Sequence, residues 1–144
     1  MEMHMHMLVV DDDPLIRELI LTHFIQRGFV VYTATTGAEA LSLMQRLRID
    51  ICIVDLQMPG MSGHELLVSM RAKTPLIRSI VVTGAATHHD VLQCLSEGAF
   101  SFVTKPLDDL EPLEQAVDQA VHLLSTWIEK LSSLNSLNNE VTVL

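Results

Sequence analysis

The chain has 144 residues, a 49% apolar fraction, and nine Lys and Arg against 18 Asp and Glu, for a formal net charge of −9. The length suits one domain with its own core. The acidic balance argues against direct contact with nucleic acid, which wants clustered Lys and Arg. No apolar run reaches a membrane span, and the opening Met1-Glu2-Met3-His4-Met5-His6-Met7 lacks the apolar core of a signal peptide.

His4 and His6 alternate with methionines as a strand lead-in, with soft-metal binding as the alternative. Met7 to Val10 is the first strand, and Asp11-Asp12-Asp13-Pro14 ends it. Asp13 reads as a helix N-cap with Pro14 at the first helical position. Leu15, Ile16, Leu19, Ile20 and Phe24 then recur at helical spacing until Gly28. Phe29 to Thr33 is the second strand. Gly37 to Arg48 is the second helix, with Ala40, Leu41, Met44 and Leu47 inward. Ile49 to Val54 is the third strand, His64 to Ala72 the third helix and Ile80 to Thr83 the fourth strand, stopped by Gly84. His88 to Glu97 is the fourth helix and Phe100 to Thr104 the fifth strand, stopped by Lys105-Pro106. A long helix starts near Leu110. Cys52 and Cys94 fall inside apolar patterns and read as reduced core residues of a cytosolic protein.

Five β units alternating with five α units imply a parallel sheet with helices on both faces, joined by right-handed crossovers. The chemistry then collects on one edge. The run Ile51-Cys52-Ile53-Val54 leads straight into Asp55, before Leu56-Gln57-Met58-Pro59-Gly60 turns the chain. A continuous apolar run bounded by turn signals reads as a central strand buried on both faces. Asp55 therefore stands at its carboxyl end, where open α/β sheets bind ligands. The same edge receives Asp11, Asp12 and Asp13 after strand one, Thr83 after strand four and Lys105 after strand five. Each alone is ordinary turn chemistry. Together they are carboxylates that repel one another and need a cation. An oxygen-only donor set selects a hard ion such as Mg2+. Lys105 adds positive charge and Thr83 a hydrogen-bond donor. Such a set stabilises a phosphoryl group moving onto an aspartate. The small residues Gly84 and Ala85 leave room beside it.

The chain resembles the receiver domain of two-component response regulators. The resemblance is carried by Leu8-Val9-Val10-Asp11-Asp12-Asp13-Pro14, by Ile53-Val54-Asp55-Leu56-Gln57-Met58-Pro59-Gly60-Met61-Ser62-Gly63, by Val82-Thr83-Gly84 and by Phe102-Val103-Thr104-Lys105-Pro106. It runs from about Met7 into the first half of the last helix. It implies a flavodoxin-like doubly wound α/β fold, with five parallel strands in the order 2-1-3-4-5 and five helices, the last extended. It implies a signalling switch rather than an enzyme, phosphorylated by a histidine kinase or phosphotransfer protein and assisting its own phosphorylation and dephosphorylation. Asp55 would be the phosphoacceptor. Asp12 would ligate Mg2+ directly, Asp11 mainly through water, with Asp55 and the backbone carbonyl of Gln57 completing the protein ligands. Lys105 would pair with Asp55 and then with the phosphoryl oxygens. Thr83 would move toward the phosphoryl group and Phe102 would rotate inward, changing the face made by helix four, strand five and helix five. The Lys105–Pro106 bond is cis in the family. Gln57 occupies a position that varies near the phosphoryl group.

Other functions fit less well. Haloacid-dehalogenase-like phosphatases need a second Asp two residues after the nucleophile, where this chain has Gln57. A flavin module of the same strand order needs a phosphate-cradling loop after strand one, where Asp11 to Asp13 would repel a phosphate. A receiver-like dimerisation or docking module remains the alternative.

Residues 1–124 read as the receiver domain and 125–144 as an extension of its last helix. Leu110, Leu113, Val117, Ala120, Leu124, Trp127, Leu131 and Leu134 follow a 3-4-3-4 spacing, continued by Asn138. Laying helix five on the sheet uses this stripe only to about Leu124. The remainder is expected to be a coiled coil that makes a homodimer, or a linker to an output module. Asn139 to Leu144 shows no stripe and is expected to fray. No DNA-binding segment is expected in the residues that remain.

Overall fold

Alternation along each strand decides how this chain layers. Met7 and Val9 of the first strand point to one face, Leu8 and Val10 to the other, and all four are buried. The computed structural model describes residues 4–84 and 86–143, with side chains as far as residue 135. Its strands are β1 (His6–Val10), β2 (Val30–Ala34), β3 (Ile51–Val54), β4 (Arg78–Thr83) and β5 (Ser101–Thr104). They form one parallel sheet in the order β2-β1-β3-β4-β5.

The helices are α1 (Pro14–Gln26), α2 (Gly37–Arg46), α3 (Gly63–Lys73), α4 (His88–Ser96) and α5 (Glu111–Val143). On one face Ile20 and Phe24 of α1 and Leu113, Ala116, Val117 and Ala120 of α5 pack on Met7, Val9, Ile51, Ile53, Ile80 and Val82. On the other, Ala40 and Met44 of α2 and Leu66 and Met70 of α3 pack on Leu8, Val10, Cys52 and Val54. Cys94 of α4 joins Leu56, Leu67, Val81 and Ala99 in a smaller cluster. Cys52 and Cys94 are free and buried. Among the described residues no helix is long and apolar enough to cross a membrane.

Local chemistry sets the helix ends. Asp13 caps α1, its carboxylate accepting from the Leu15 N–H at 2.9 Å with Pro14 next in line. At the far end Gly28 takes φ +93°, its N–H reaching the Ile25 carbonyl and that of Phe29 the Phe24 carbonyl. The Phe24 and Phe29 rings meet edge to face, which completes a Schellman stop with its apolar contact. Gly98 repeats the arrangement after α4, with Ala99 N–H on the Cys94 carbonyl.

Thr87 and Asp90 form a reciprocal capping box at the start of α4. Hydrogen bonds from the Thr87 N–H and hydroxyl hold the Asp90 carboxyl below its ordinary value of 3.8. Because the folded value is the lower one, this stabilisation is complete above the ordinary value and disappears as pH falls through the folded one. Amide protection in the first turn of α4, relative to the intrinsic exchange rate at each pH, is therefore expected to fall over that acidic window, and protection unchanged across it would contradict the box.

Several boundaries differ from the sequence reading. α2 stops at Arg46 rather than Arg48, because Leu47 is already extended at φ −122° and ψ 151°. β3 starts at Ile51 rather than Ile49, because Asp50 is spent on its neighbours: its carboxylate accepts from His6 N–H and its carbonyl from Arg78 N–H. Leu15 and Leu19 are exposed, and Ile20 and Phe24 carry the buried side of α1. The α5 backbone is helical to Val143, and the side chains of the tail from Asn139, like that of Asn138, lie outside the described residues. Burial along α5 is complete at Leu113, Val117 and Ala120, partial at Leu124, and lost at Trp127, Leu131 and Leu134.

Candidate functional site

The register of the sheet brings two aspartates side by side. Val10 pairs with Val54, so the residues that follow, Asp11 and Asp55, emerge together at the carboxyl edge. The Asp55 N–H donates to the Val10 carbonyl at 3.0 Å, and the Asp11 N–H to the Ala34 carbonyl at 3.2 Å. The strand order reverses between β1 and β3, and such a switch point leaves a crevice outside the sheet.

Asp11 and Asp55 are buried to 3% and 6% exposure, and Asp12 faces solvent. One carboxylate oxygen from each lies within 4.8 Å of the others. From the end of β5 the Lys105 ammonium donates to Asp11 Oδ2 at 3.1 Å and to Asp55 Oδ2 at 3.3 Å. The Lys105 N–H is in turn fixed on the Thr83 carbonyl at 2.9 Å, and the Lys105–Pro106 bond is cis. Asp55 Oδ1 accepts from the Gln57 N–H at 3.1 Å. Asp13, occupied in capping α1, contributes its N–H to Asp11 Oδ1 at 2.9 Å.

Burial pushes the Asp11 carboxyl up, and the charge of Asp55 adds to that, while the Asp13 N–H and Lys105 pull against it. For Lys105 burial alone would lower the ammonium. The hydrogen bond to Asp11 and the two carboxylate charges outweigh it, so Lys105 rises above its usual value and stays charged. One ammonium thus pairs with two members of a three-carboxylate cluster. An all-oxygen set with residual negative charge fits a hard divalent cation such as Mg2+.

Thr83 ends β4 with no exposure, and its hydroxyl is buried without a hydrogen-bond partner. Phe102 lies on β5 opposite Val81, half-buried against the cluster of Leu56, Leu67, Cys94 and Ala99. The Gln57 side chain is exposed. Gly84 follows Thr83 and faces the Lys105 side chain, and Ala85 lies outside the described residues. The sequence-derived residues Asp11, Asp12, Asp55, Lys105 and the Gln57 backbone are therefore gathered at one place, with Thr83 and Phe102 on the adjoining strands. Arg17 escaped the sequence reading. Its guanidinium donates to the Asp11 carbonyl at 2.8 Å and anchors the acidic loop from α1. Only its position one turn into α1, after Asp11-Asp12-Asp13, hinted at this.

Known proteins share this architecture. A family model described as the response regulator receiver domain matches residues 7–118. The transcriptional regulatory protein GlrR of Escherichia coli K12 is 36% identical over 116 residues, 81% of this chain and 26% of GlrR. The response regulator SaeR of Staphylococcus aureus is 35% identical over 106 residues, 74% of this chain and 46% of SaeR. The chain thus spans less than half the length of these relatives. The crystal structure of the response regulator TrrA from Thermotoga maritima, in complex with Mg2+ and BeF, is 32% identical with a TM-score of 0.73, covering 81% of this chain and 98% of that one. Chemotaxis protein CheY4 of Vibrio cholerae is 27% identical with a TM-score of 0.77, covering 82% and 99%. A family match over most of the length, on a sheet wound in the same order, means that the chain belongs to the response regulator receiver domains of two-component systems, phosphoacceptor switches in signal transduction.

Proposed function

We propose that Asp55 accepts a phosphoryl group from a histidine kinase or phosphotransfer protein in a Mg2+-dependent reaction, and that the product changes shape at the face formed by α4, β5 and α5. The observation that carries this reading is the Lys105 ammonium set between Asp11 and Asp55 at the carboxyl edge of the sheet.

An Asp55 carboxylate oxygen forms a bond to phosphorus as the phosphorus–nitrogen bond of a phosphohistidine donor breaks, leaving an acyl phosphate and a free imidazole. Lys105 pairs with Asp55 beforehand and transfers its hydrogen bond to a phosphoryl oxygen as charge builds there. Asp12, Asp55 and the Gln57 carbonyl would hold Mg2+, with Asp11 beside them. The ion neutralises phosphoryl charge when bound. The Thr83 hydroxyl, buried without a partner, gains an acceptor in the phosphorylated state only, and this differential bond biases the fold between two states. Phe102 turns inward as Thr83 leaves its place. The same groups assist loss of the phosphoryl group to water.

The test is intact-mass measurement after incubation with phosphoramidate. One phosphoryl adduct per chain is expected with Mg2+, mapping to Asp55, and none with a chelator. Equal uptake without Mg2+, or an adduct mapping elsewhere, would overturn the assignment.

A homodimer through α5 rests on a separate observation. Trp127, Leu131 and Leu134 are all more than half exposed along one stripe of that helix. Light scattering on the full chain and on a truncation after Ser125, each with and without Mg2+ plus beryllofluoride, is expected to show a dimer that truncation abolishes. A monomer under every condition would leave the extension as a linker to an output module.

A further inference from the structure

His64, Cys94 and Glu97 meet where the first turn of α3 packs against the end of α4. His64 Nδ1 lies 2.7 Å from Glu97 Oε2 and 4.0 Å from Cys94 Sγ. One donor atom from each residue lies within 4.8 Å of the others. The sulfur is buried, whereas the His64 and Glu97 side chains keep 23% and 14% exposure. A solvated ion can therefore reach the pair from outside, with sulfur as the floor. The second Glu97 oxygen, Oε1, accepts from Gln93 Nε2 at 3.0 Å, which orients Oε2 toward His64 as an outer-shell partner does.

This donor set differs in kind from the acidic rim. Imidazole nitrogen, sulfur and one carboxylate oxygen suit Zn2+, which binds such ligands tetrahedrally. With metal–ligand bonds of about 2.0–2.3 Å, donors in a tetrahedral centre stand roughly 3.3–3.7 Å apart. The separations of 2.7 and 4.0 Å straddle that spacing, so small side-chain rotations close the site. We propose that His64 Nδ1, Cys94 Sγ and Glu97 Oε2 form a Zn2+ site with water in the fourth position. Burial, with the charges of Glu97 and Asp90 beside it, pushes the Cys94 thiol up to about 11, so the free protein carries the thiol. Binding expels that proton to solvent. The bound ion clips the start of α3 to the end of α4, and the assignment stands independently of the role of Asp55.

Co2+ added to the Mg2+-saturated full chain is the probe. A near-ultraviolet sulfur-to-cobalt charge-transfer band, with tetrahedral visible bands, is expected at one Co2+ per chain and is displaced by Zn2+. Ions on the acidic rim meet only oxygen and give no sulfur band. Cys52→Ala keeps the band and Cys94→Ser loses it. His64→Gln and Glu97→Gln weaken Co2+ binding by at least the roughly 10–100-fold that outer-shell changes alone cost, with unchanged circular dichroism. No sulfur band in the wild type under excess Co2+, or a band surviving Cys94→Ser, overturns the site. Should Cys94→Ser not fold, His64→Gln decides, because that side chain is partly exposed and lies outside the apolar core clusters, and undiminished affinity there overturns the proposal equally.

Discussion

Asp55→Asn is expected to take up no phosphoryl group from phosphoramidate while remaining folded. Asparagine has nearly the shape of aspartate and keeps one acceptor oxygen, enough for the Gln57 N–H that Oδ1 accepts at 3.1 Å, while Lys105 loses its 3.3 Å bond to Oδ2 and retains the one to Asp11. Asparagine lacks the negative oxygen that would attack phosphorus. It also removes a charge that disfavours ionised Asp11, whose carboxyl burial already pushes up. The thermal midpoint should therefore hold or rise. Intact mass and a melting curve on the same sample check both halves. An adduct on the variant would remove Asp55 from the mechanism, and a marked loss of stability would mean that its carboxylate is structural.

Gly63→Ala is expected to damage stability and phosphoryl uptake together. Gly63 opens α3 with its N–H on the Leu56 carbonyl at 3.1 Å. A Cβ built there would lie 2.5 Å from the Asp55 carbonyl oxygen and 2.6 Å from the Leu56 Cα. Both are backbone atoms, so no side-chain rotation relieves the clash, and either α3 or the loop carrying Asp55 must shift. A cost of about 3 kcal/mol, the upper part of the usual overpacking range, is expected by chemical denaturation. A shift of the loop also moves Asp55 relative to Lys105, and a misplacement of about 1 Å costs on the order of a hundredfold in rate. Wild-type stability with a wild-type uptake rate would show that the contact relaxes freely.

Most of the fold was legible because each strand is a short apolar run ended by a charged or turn residue. The rim was legible for the same reason, since Asp11, Asp55, Thr83 and Lys105 each stand where such a run stops. What escaped depends on contacts between distant elements. Asp50 looked like strand, but its carboxylate and carbonyl hold His6 and Arg78 across the amino edge of the sheet. Arg17 read as an ordinary helix residue until the packing of α1 placed it under the Asp11 carbonyl. His64 and Glu97 are 33 residues apart and pair only because α3 and α4 lie side by side. Periodicity reports which way a side chain faces and is silent about what stands opposite it. Leu15 and Leu19 show the converse, keeping helical spacing while the core takes Ile20 and Phe24 instead.

α5 runs for 33 residues, which at 1.5 Å each makes a rod of about 50 Å. Its grip on the sheet weakens at Leu124, and every side chain from Glu129 to Asn135 faces water. From residue 125 to Val143 the helix measures about 28 Å. Such a length would act as the needle of a gauge. A tilt of about 10° at its root, which a modest repacking against β5 would produce, carries the tip through about 5 Å on that length. An ångström-scale adjustment at the sheet would thus emerge as a displacement wider than a side-chain contact at the far end of the helix.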